Sequence, residues 1–264
     1  MGNDIQGEGA FDSLGLRNSV DLSANGKTLA IGSSMNDGSN GRNVGHVRVY
    51  EWDKRGGDWK QMGATVEGRG AHEYFGAAVD LSADGHTLAV GAHGGRREQK
   101  KGHVRVYTWA WQKQVWVQKG ADIVGEEDYD YSGAAIDMSA DGTVVAIGAY
   151  QNGEEGENAG HVRVYEWNGR SQSWVQRGVD LDGEEMYGSS GVAVDLSADG
   201  YILAVGAHEN TVEEERFHAG HVRVWEWDGE VWMRKGEDID GEAEEDYSGE
   251  AMDLSDGGDI LAVG

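Results

Sequence analysis

Cysteine and proline are both absent from the 264 residues, and phenylalanine occurs only three times. A chain without cysteine has no disulfide framework and no thiolate chemistry. That leaves the compartment open, because secreted proteins need not contain cysteine. Basic residues are scarce: 22 Lys and Arg stand against 48 Asp and Glu, for a formal net charge of −26. Phosphate recognition needs clustered Lys and Arg, so nucleic acid is not an expected partner. No run approaches the roughly 18 consecutive apolar residues of a membrane span, so no membrane insertion is expected. Met1-Gly2-Asn3-Asp4 does not lead a basic segment into an apolar one, as a secretory signal would. Gln6 stands where a myristoylation motif needs Ser or Thr.

Glycine, by contrast, is abundant at 43 residues, and much of it falls in a repeat. Gly45-His46-Val47-Arg48-Val49-Tyr50 returns from Gly102, Gly160 and Gly220, at intervals of 57, 58 and 60 residues. Asp80-Leu81-Ser82-Ala83-Asp84-Gly85 has counterparts starting at Asp21, Asp137, Asp195 and Asp253. Trp59, Trp116, Trp174 and Trp232 mark a third block, in which a Trp precedes a Gly. A period of this length signals a repeat architecture, in which each unit buries its faces against its neighbours.

Each unit reads as four strands. In the third copy, 134–139 and 143–148 flank an Ala-Asp-Gly turn, a strong hairpin signal. Residues 161–167 and 173–177 supply two more strands, rich in the β-branched and aromatic residues that a half-buried pleated surface prefers. No segment has helical periodicity. The expected fold is all-β: a β-propeller of four-stranded antiparallel blades with about four and a half repeats, as an incomplete or a five-bladed ring. The repeats run approximately over 2–63, 64–120, 121–178 and 179–236, with a partial one at 237–264, within one domain.

The segment Ser132-Gly133-Ala134-Ala135-Ile136-Asp137-Met138-Ser139-Ala140-Asp141-Gly142, followed by Ala146-Ile147-Gly148-Ala149, resembles the FG-GAP repeat of integrin-α-type propellers. Phe75-Gly76 and Gly91-Ala92 are its nearest literal match. The fuller pattern resembles repeat arrays of secreted marine bacterial and algal proteins. The third position of the Gly-Ala-Pro triplet is never Pro here. The resemblance implies a non-enzymatic binding or adhesion module, outside the cell or on its surface, with ligand-binding loops after strands two and four.

Those loops are strongly acidic. They carry Glu126, Glu127, Asp128, Asp130, Glu154, Glu155, Glu157, Glu184, Glu185, Glu213, Glu214, Glu215, Asp240, Glu242, Glu244, Glu245 and Asp246. Charge focused on one rim can steer a cationic partner, and the expected ligand is a protein, basic where this charge steers it, or a glycan. Arg96, Arg97, Lys100 and Lys101 make one loop locally basic. The hairpins Asp80-x-Ser82-x-Asp84, Asp137-x-Ser139-x-Asp141 and Asp195-x-Ser197-x-Asp199 resemble a calcium loop, but Leu88, Val145 and Leu203 occupy the last ligand position. The expected reading is a self-bonded Asp-Gly turn with no cofactor, calcium being the alternative. His46, Arg48, Tyr50 and Trp52 share one side of a strand, and the arginines need partners, for which the recurrent aspartates at 21, 80, 137, 195 and 253 are candidates. Three other functions stay open. One is a glycan-binding propeller. Another is a propeller glycoside hydrolase or lyase, which requires blades that differ at a pocket. The last is a structural scaffold that self-associates to complete its ring.

Overall fold

The computed structural model describes residues 2–9, 11–15, 18–95, 100–153, 156–212 and 217–264. Among these every regular element is a strand. Blade one contains β1 (Val20–Leu22), β2 (Thr28–Ser33), β3 (His46–Asp53), β4 (Asp58–Gln61) and the two-residue β5 (Val66–Glu67). Blade two repeats this with β6 (Phe75–Leu81), β7 (Thr87–Ala92), β8 (His103–Ala110), β9 (Val115–Gln118) and β10 (Ile123–Val124). Blade three has β11 (Ala135–Met138), β12 (Val144–Ala149), β13 (His161–Asn168), β14 (Ser173–Gln176) and β15 (Leu181–Asp182). Blade four has β16 (Ala193–Leu196), β17 (Ile202–Ala207), β18 (His221–Trp227), β19 (Trp232–Arg234) and β20 (Ile239–Asp240), and a final hairpin pairs β21 (Met252–Leu254) with β22 (Leu261–Val263).

Each blade is an antiparallel meander, first strand to fourth, as expected. The short fifth strand was not expected. It pairs with the first two residues of the third strand, as in His161↔Asp182 and Val162↔Leu181, and so extends the outer edge past the fourth strand. The first strands β1, β6, β11, β16 and β21 contact one another in series, which places them innermost.

The core lies between blades rather than within them. Val104 and Val106 of blade two pack with Ile136, Val145 and Ile147 of blade three, all buried. Val162 and Val164 pack with Leu203 and Val205 in the same way. Removing this much aliphatic surface from water is the main force holding blade to blade. Close backbone approach is part of the same contact. A Cβ on Gly148 would lie 2.0 Å from the carbonyl oxygen of Gly191 in the next blade, so only glycine fits.

Polar ties recur at each boundary. The indole Nε1 groups of Trp116, Trp174 and Trp232 donate to the carbonyls of Met62, Lys119 and Arg177 in the preceding repeat, at 3.0, 2.9 and 2.9 Å. At the hairpin turns, Ala83 N–H donates to the Ala140 carbonyl and Ala140 N–H to that of Ala198.

The expected pairing of the strand-three arginines with the recurrent aspartates does not occur. Arg105 meets Glu73 (2.6 Å) and Asp122 (2.9 Å), and Arg163 meets Glu126 (3.3 Å). Arg223 meets Asp238 (3.0 Å) and Glu184. The reason is position. The arginines sit on third strands near the outer connections, whereas the aspartates sit on the innermost strands and face each other.

Candidate functional site

Two positions per blade vary in some of the repeats, and they meet at one end of the axis. The first follows the Gly-Ala or Gly-Ser that closes the second strand: Ser34, His93, Tyr150 and His208. The second precedes the Phe-Gly or Ser-Gly that opens the first strand: Tyr74, Tyr131, Ser189 and Tyr247. These four adopt left-handed backbone, with φ of 56°, 58°, 57° and 53°, an uncommon state for residues other than glycine. Strain of this kind gathers where surrounding structure holds a side chain in a set direction.

A cavity of 460 Å³ opens here, lined by Asn18, Ser34, Tyr74, His93, Tyr150, Gln151, Asn158, Ser189, His208 and Glu209 among others. All four blades contribute. Among the described residues the lining is aromatic, imidazole, amide, hydroxyl and aliphatic, with one carboxylate, Glu209. The His93 ring lies between Tyr74 (5.2 Å, interplanar 17°) and Tyr131 (5.3 Å, 20°), and Tyr131 in turn meets Tyr150. Burial lowers the His93 pKa from its ordinary value, so the ring is neutral at pH 7. Its Nδ1 is 2.5 Å from the Gly94 carbonyl oxygen. A carbonyl can only accept, so the proton resides on Nδ1 and Nε2 keeps its lone pair. Across the cavity Ser189 Oγ donates to Glu209 Oε2 at 2.7 Å.

The innermost strands carry a line of carboxylates. Asp21 and Asp80 hydrogen-bond through their side chains, as do Asp137 and Asp195. Burial, then the neighbouring carboxylate charges, push Asp80 and Asp137 well above the usual range, and burial holds Asp195 at about 6. Backbone N–H groups of the following blade donate to Asp21, Asp137 and Asp195.

The proposed calcium hairpins are divided by this arrangement. Asp84, Asp141 and Asp199 each accept from the Ser two residues earlier, Ser82, Ser139 and Ser197, and from the backbone of His86, Thr143 and Tyr201. They close their own turns while Asp80, Asp137 and Asp195 engage the axis.

Among the described residues, the acidic rim residues take several different positions. Glu126, Glu184 and Asp240 lie at blade seams beside strand-three His or Arg. Asp130 is buried and accepts from Glu127 N–H (2.8 Å), and Asp246 accepts from Ala243 N–H (2.7 Å), so both cap their own loops. Glu157 accepts from the Tyr187 hydroxyl, and Glu185 from Thr211 N–H. Glu127, Asp128, Glu242, Glu244 and Glu245 are exposed. Glu154, Glu155, Glu213, Glu214 and Glu215, with Arg96 and Arg97 of the basic loop, lie outside the described residues. Lys100 and Lys101 donate to the carbonyls of Ala71 and Glu126.

Repetition hid the cavity residues from sequence reasoning. Attention to what recurs selects packing positions, and the available signal was the residue after each Gly-Ala or Gly-Ser, which is Ser34, His93, Tyr150 and His208.

No protein-family model matches the chain. Among solved structures it is similar to a periplasmic gluconolactonase of Pseudomonas aeruginosa, with a TM-score of 0.61 and 18% identity over 92% of this chain and 63% of that one. It is also similar to a Bacteroides fragilis protein assigned as a 6-phosphogluconolactonase (TM-score 0.58, 12% identity, 92% of this chain, 61% of that one). A Bacteroides uniformis protein with the same assignment gives a TM-score of 0.52 at 12% identity, over 93% of this chain and 77% of that one. The chain thus spans about three-fifths of the length of the first two. These neighbours correct the FG-GAP resemblance and the non-enzymatic adhesion or protein-binding role drawn from it. They are lactonase-type propellers rather than integrin-type ones. At these identities the likeness is one of fold: a β-propeller of four-stranded antiparallel blades.

Proposed function

We propose that this propeller is a hydrolase that opens a sugar lactone, a hydroxyl-rich cyclic ester, in the axial cavity. The observation that carries the reading is His93: a neutral imidazole held between Tyr74 and Tyr131, its tautomer set by the Gly94 carbonyl, in a cavity at the blade ends. Asn18, Gln151 and Asn158 offer amide donors and acceptors to ring hydroxyls, and the tyrosines offer apolar faces to the ring. The lactonase titles of the structural neighbours support the substrate class.

The chemistry follows from these groups. His93 Nε2 takes a proton from water as its oxygen attacks the lactone carbonyl carbon. The carbonyl π electrons move to oxygen, giving a tetrahedral intermediate. Its collapse breaks the ring C–O bond, and the imidazolium returns the proton to the departing alkoxide. The products are a hydroxyl and a carboxylic acid, so atoms and charge balance. The Ser189–Glu209 pair is on the opposite side, placed to orient water or a substrate hydroxyl.

The test is acid release from D-glucono-1,5-lactone, read with a pH indicator against the buffer-only rate. Wild type is expected to exceed that background. His93→Ala should lower kcat by about 10²- to 10⁴-fold, the usual span for a general base. Equal rates for wild type, His93→Ala and buffer would overturn the proposal.

A further inference from the structure

Away from the axis, the seam between blades two and three holds a group of residues that the cavity does not involve. His161 opens the third strand of blade three and is fully buried. Among the described residues neither of its ring nitrogens has a hydrogen-bond partner. An unbonded polar group at such depth is costly and calls for an explanation. Its Nδ1 faces three carboxylates: Asp180 Oδ2 at 3.8 Å, Asp182 Oδ1 at 3.9 Å and Glu126 Oε2 at 4.0 Å. These separations are too long for hydrogen bonds. They are close to the spacing of two ligands on one ion, about 3.4 Å for tetrahedral zinc with bonds near 2.1 Å. One ligand atom from each of Glu126, His161 and Asp180 falls within 4.8 Å of the other two.

Comparison with the equivalent seams singles out this one. In blade two Val124 stands where Asp182 does, and Arg105 lies between Glu73 and Asp122. In blade one Thr65 replaces Asp180. In blade four His221, Asp238 and Asp240 converge too, but Asp238 is clamped by Arg223 through two 3.0 Å bonds and is also bonded by Arg234. In blade three Arg163 turns away from Asp180, giving one N–H to the Val124 carbonyl (3.0 Å) and meeting Glu126 through Oε1. Glu126 Oε2 lies 4.0 Å from His161 Nδ1. Gln176, where blade four has Arg234, donates to the other oxygen of Asp180, as an outer partner orienting a ligand would.

We propose that Glu126, His161, Asp180 and Asp182 form a binding site for one first-row divalent cation of the zinc type at this seam. One imidazole nitrogen with carboxylate oxygens is a donor set that suits zinc, whereas calcium takes oxygen ligands. The carboxylates are partly exposed, which gives the ion a path from solvent. Glu126 reaches the seam from the connection between blades, so the ion would tie blade two to blade three.

The experiment is titration of metal-free protein with Zn²⁺ by calorimetry, in parallel with thermal melting, for wild type, His161→Asn and Asp182→Val. The last variant copies the side chain that blade two carries at this position and keeps the strand apolar. Wild type should bind one equivalent saturably and melt at higher temperature with Zn²⁺. Asp182→Val should weaken binding at least tenfold while melting like wild type in chelator. His161→Asn should abolish binding. If wild type shows no saturable site, or if it binds Zn²⁺ no more tightly than Asp182→Val, the proposal fails. Lactone hydrolysis, carried by a separate cavity, is a distinct readout, so either idea can fail without the other.

Discussion

Asp195 Oδ2 accepts the backbone N–H of Leu254 at 2.7 Å, joining the innermost strand of blade four to that of the final hairpin. Asp137 and Leu196 make the same bond one blade earlier at 2.6 Å, and Asp21 and Leu81 make it in blade one at 2.8 Å. The carboxylate line is therefore a structural device: each oxygen that bonds forward stitches adjacent blades near the axis. Its drawback is the proximity of like charges.

Because burial raises Asp195 to about 6, the folded state binds protons more strongly than the unfolded chain. This contribution to stability is present below the ordinary aspartate pKa and is lost as pH rises through about 6. Asp195→Asn keeps an acceptor for Leu254 and removes the charge. It should therefore melt above wild type at pH 8, by about 1 to 2 kcal/mol after allowance for solvent screening, and match it near pH 4. Melting curves at both pH values check this, and a variant less stable than wild type at pH 8 would refute it.

Glu73 carries the opposite sign. Its burial raises the pKa, but the His103 hydrogen bond and the Arg105 charge more than offset this and hold the carboxyl at about 2. Its stabilisation is present above the ordinary glutamate value and lost as pH falls toward 2. Glu73→Gln leaves Arg105 with one carboxylate fewer at a buried seam. The expected cost is on the order of 3 kcal/mol at pH 7. Urea unfolding at pH 7 and near pH 2 should show a large difference from wild type at the first and almost none at the second.

Gly148→Ala tests the close approach of blades. The added Cβ would meet the Gly191 carbonyl oxygen at 2.0 Å, and backbone cannot swing aside as a side chain can. A loss of about 3 kcal/mol or more is expected, at the upper end of overpacking effects. Gly169→Ala, at a turn with open space around its Cβ, is the control and should change stability by less than about 1 kcal/mol. Similar melting temperatures for the two variants would mean that the blades can shift apart freely.

The blade itself was legible in the sequence because its causes are local. The Asp-Gly turn at Asp141-Gly142 and the alternation through His161 to Trp167 fix strands within a residue or two of where they form. Periodicity then supplied the repeat, and repetition of a unit with two apolar faces required stacking. The two-residue fifth strands escaped notice because a pair such as Leu181-Asp182 has too little length to show alternation.

What the sequence determined alone, then, was the strand meander, the propeller and an acidic surface. What the tertiary structure decided was which residues meet. His93 lies between Tyr74 and Tyr131 only because blades two and three deliver their loops to one end of the axis. Asp80 faces Asp21 and Asp137 rather than an arginine because first strands lie innermost and third strands do not. His161 meets Asp180 from its own blade and Glu126 from the preceding connection, a pairing set by how far one blade is turned against the next. Strand identity depends on neighbours along the chain, whereas a site depends on the angle and separation between units nearly sixty residues apart, which no local pattern encodes.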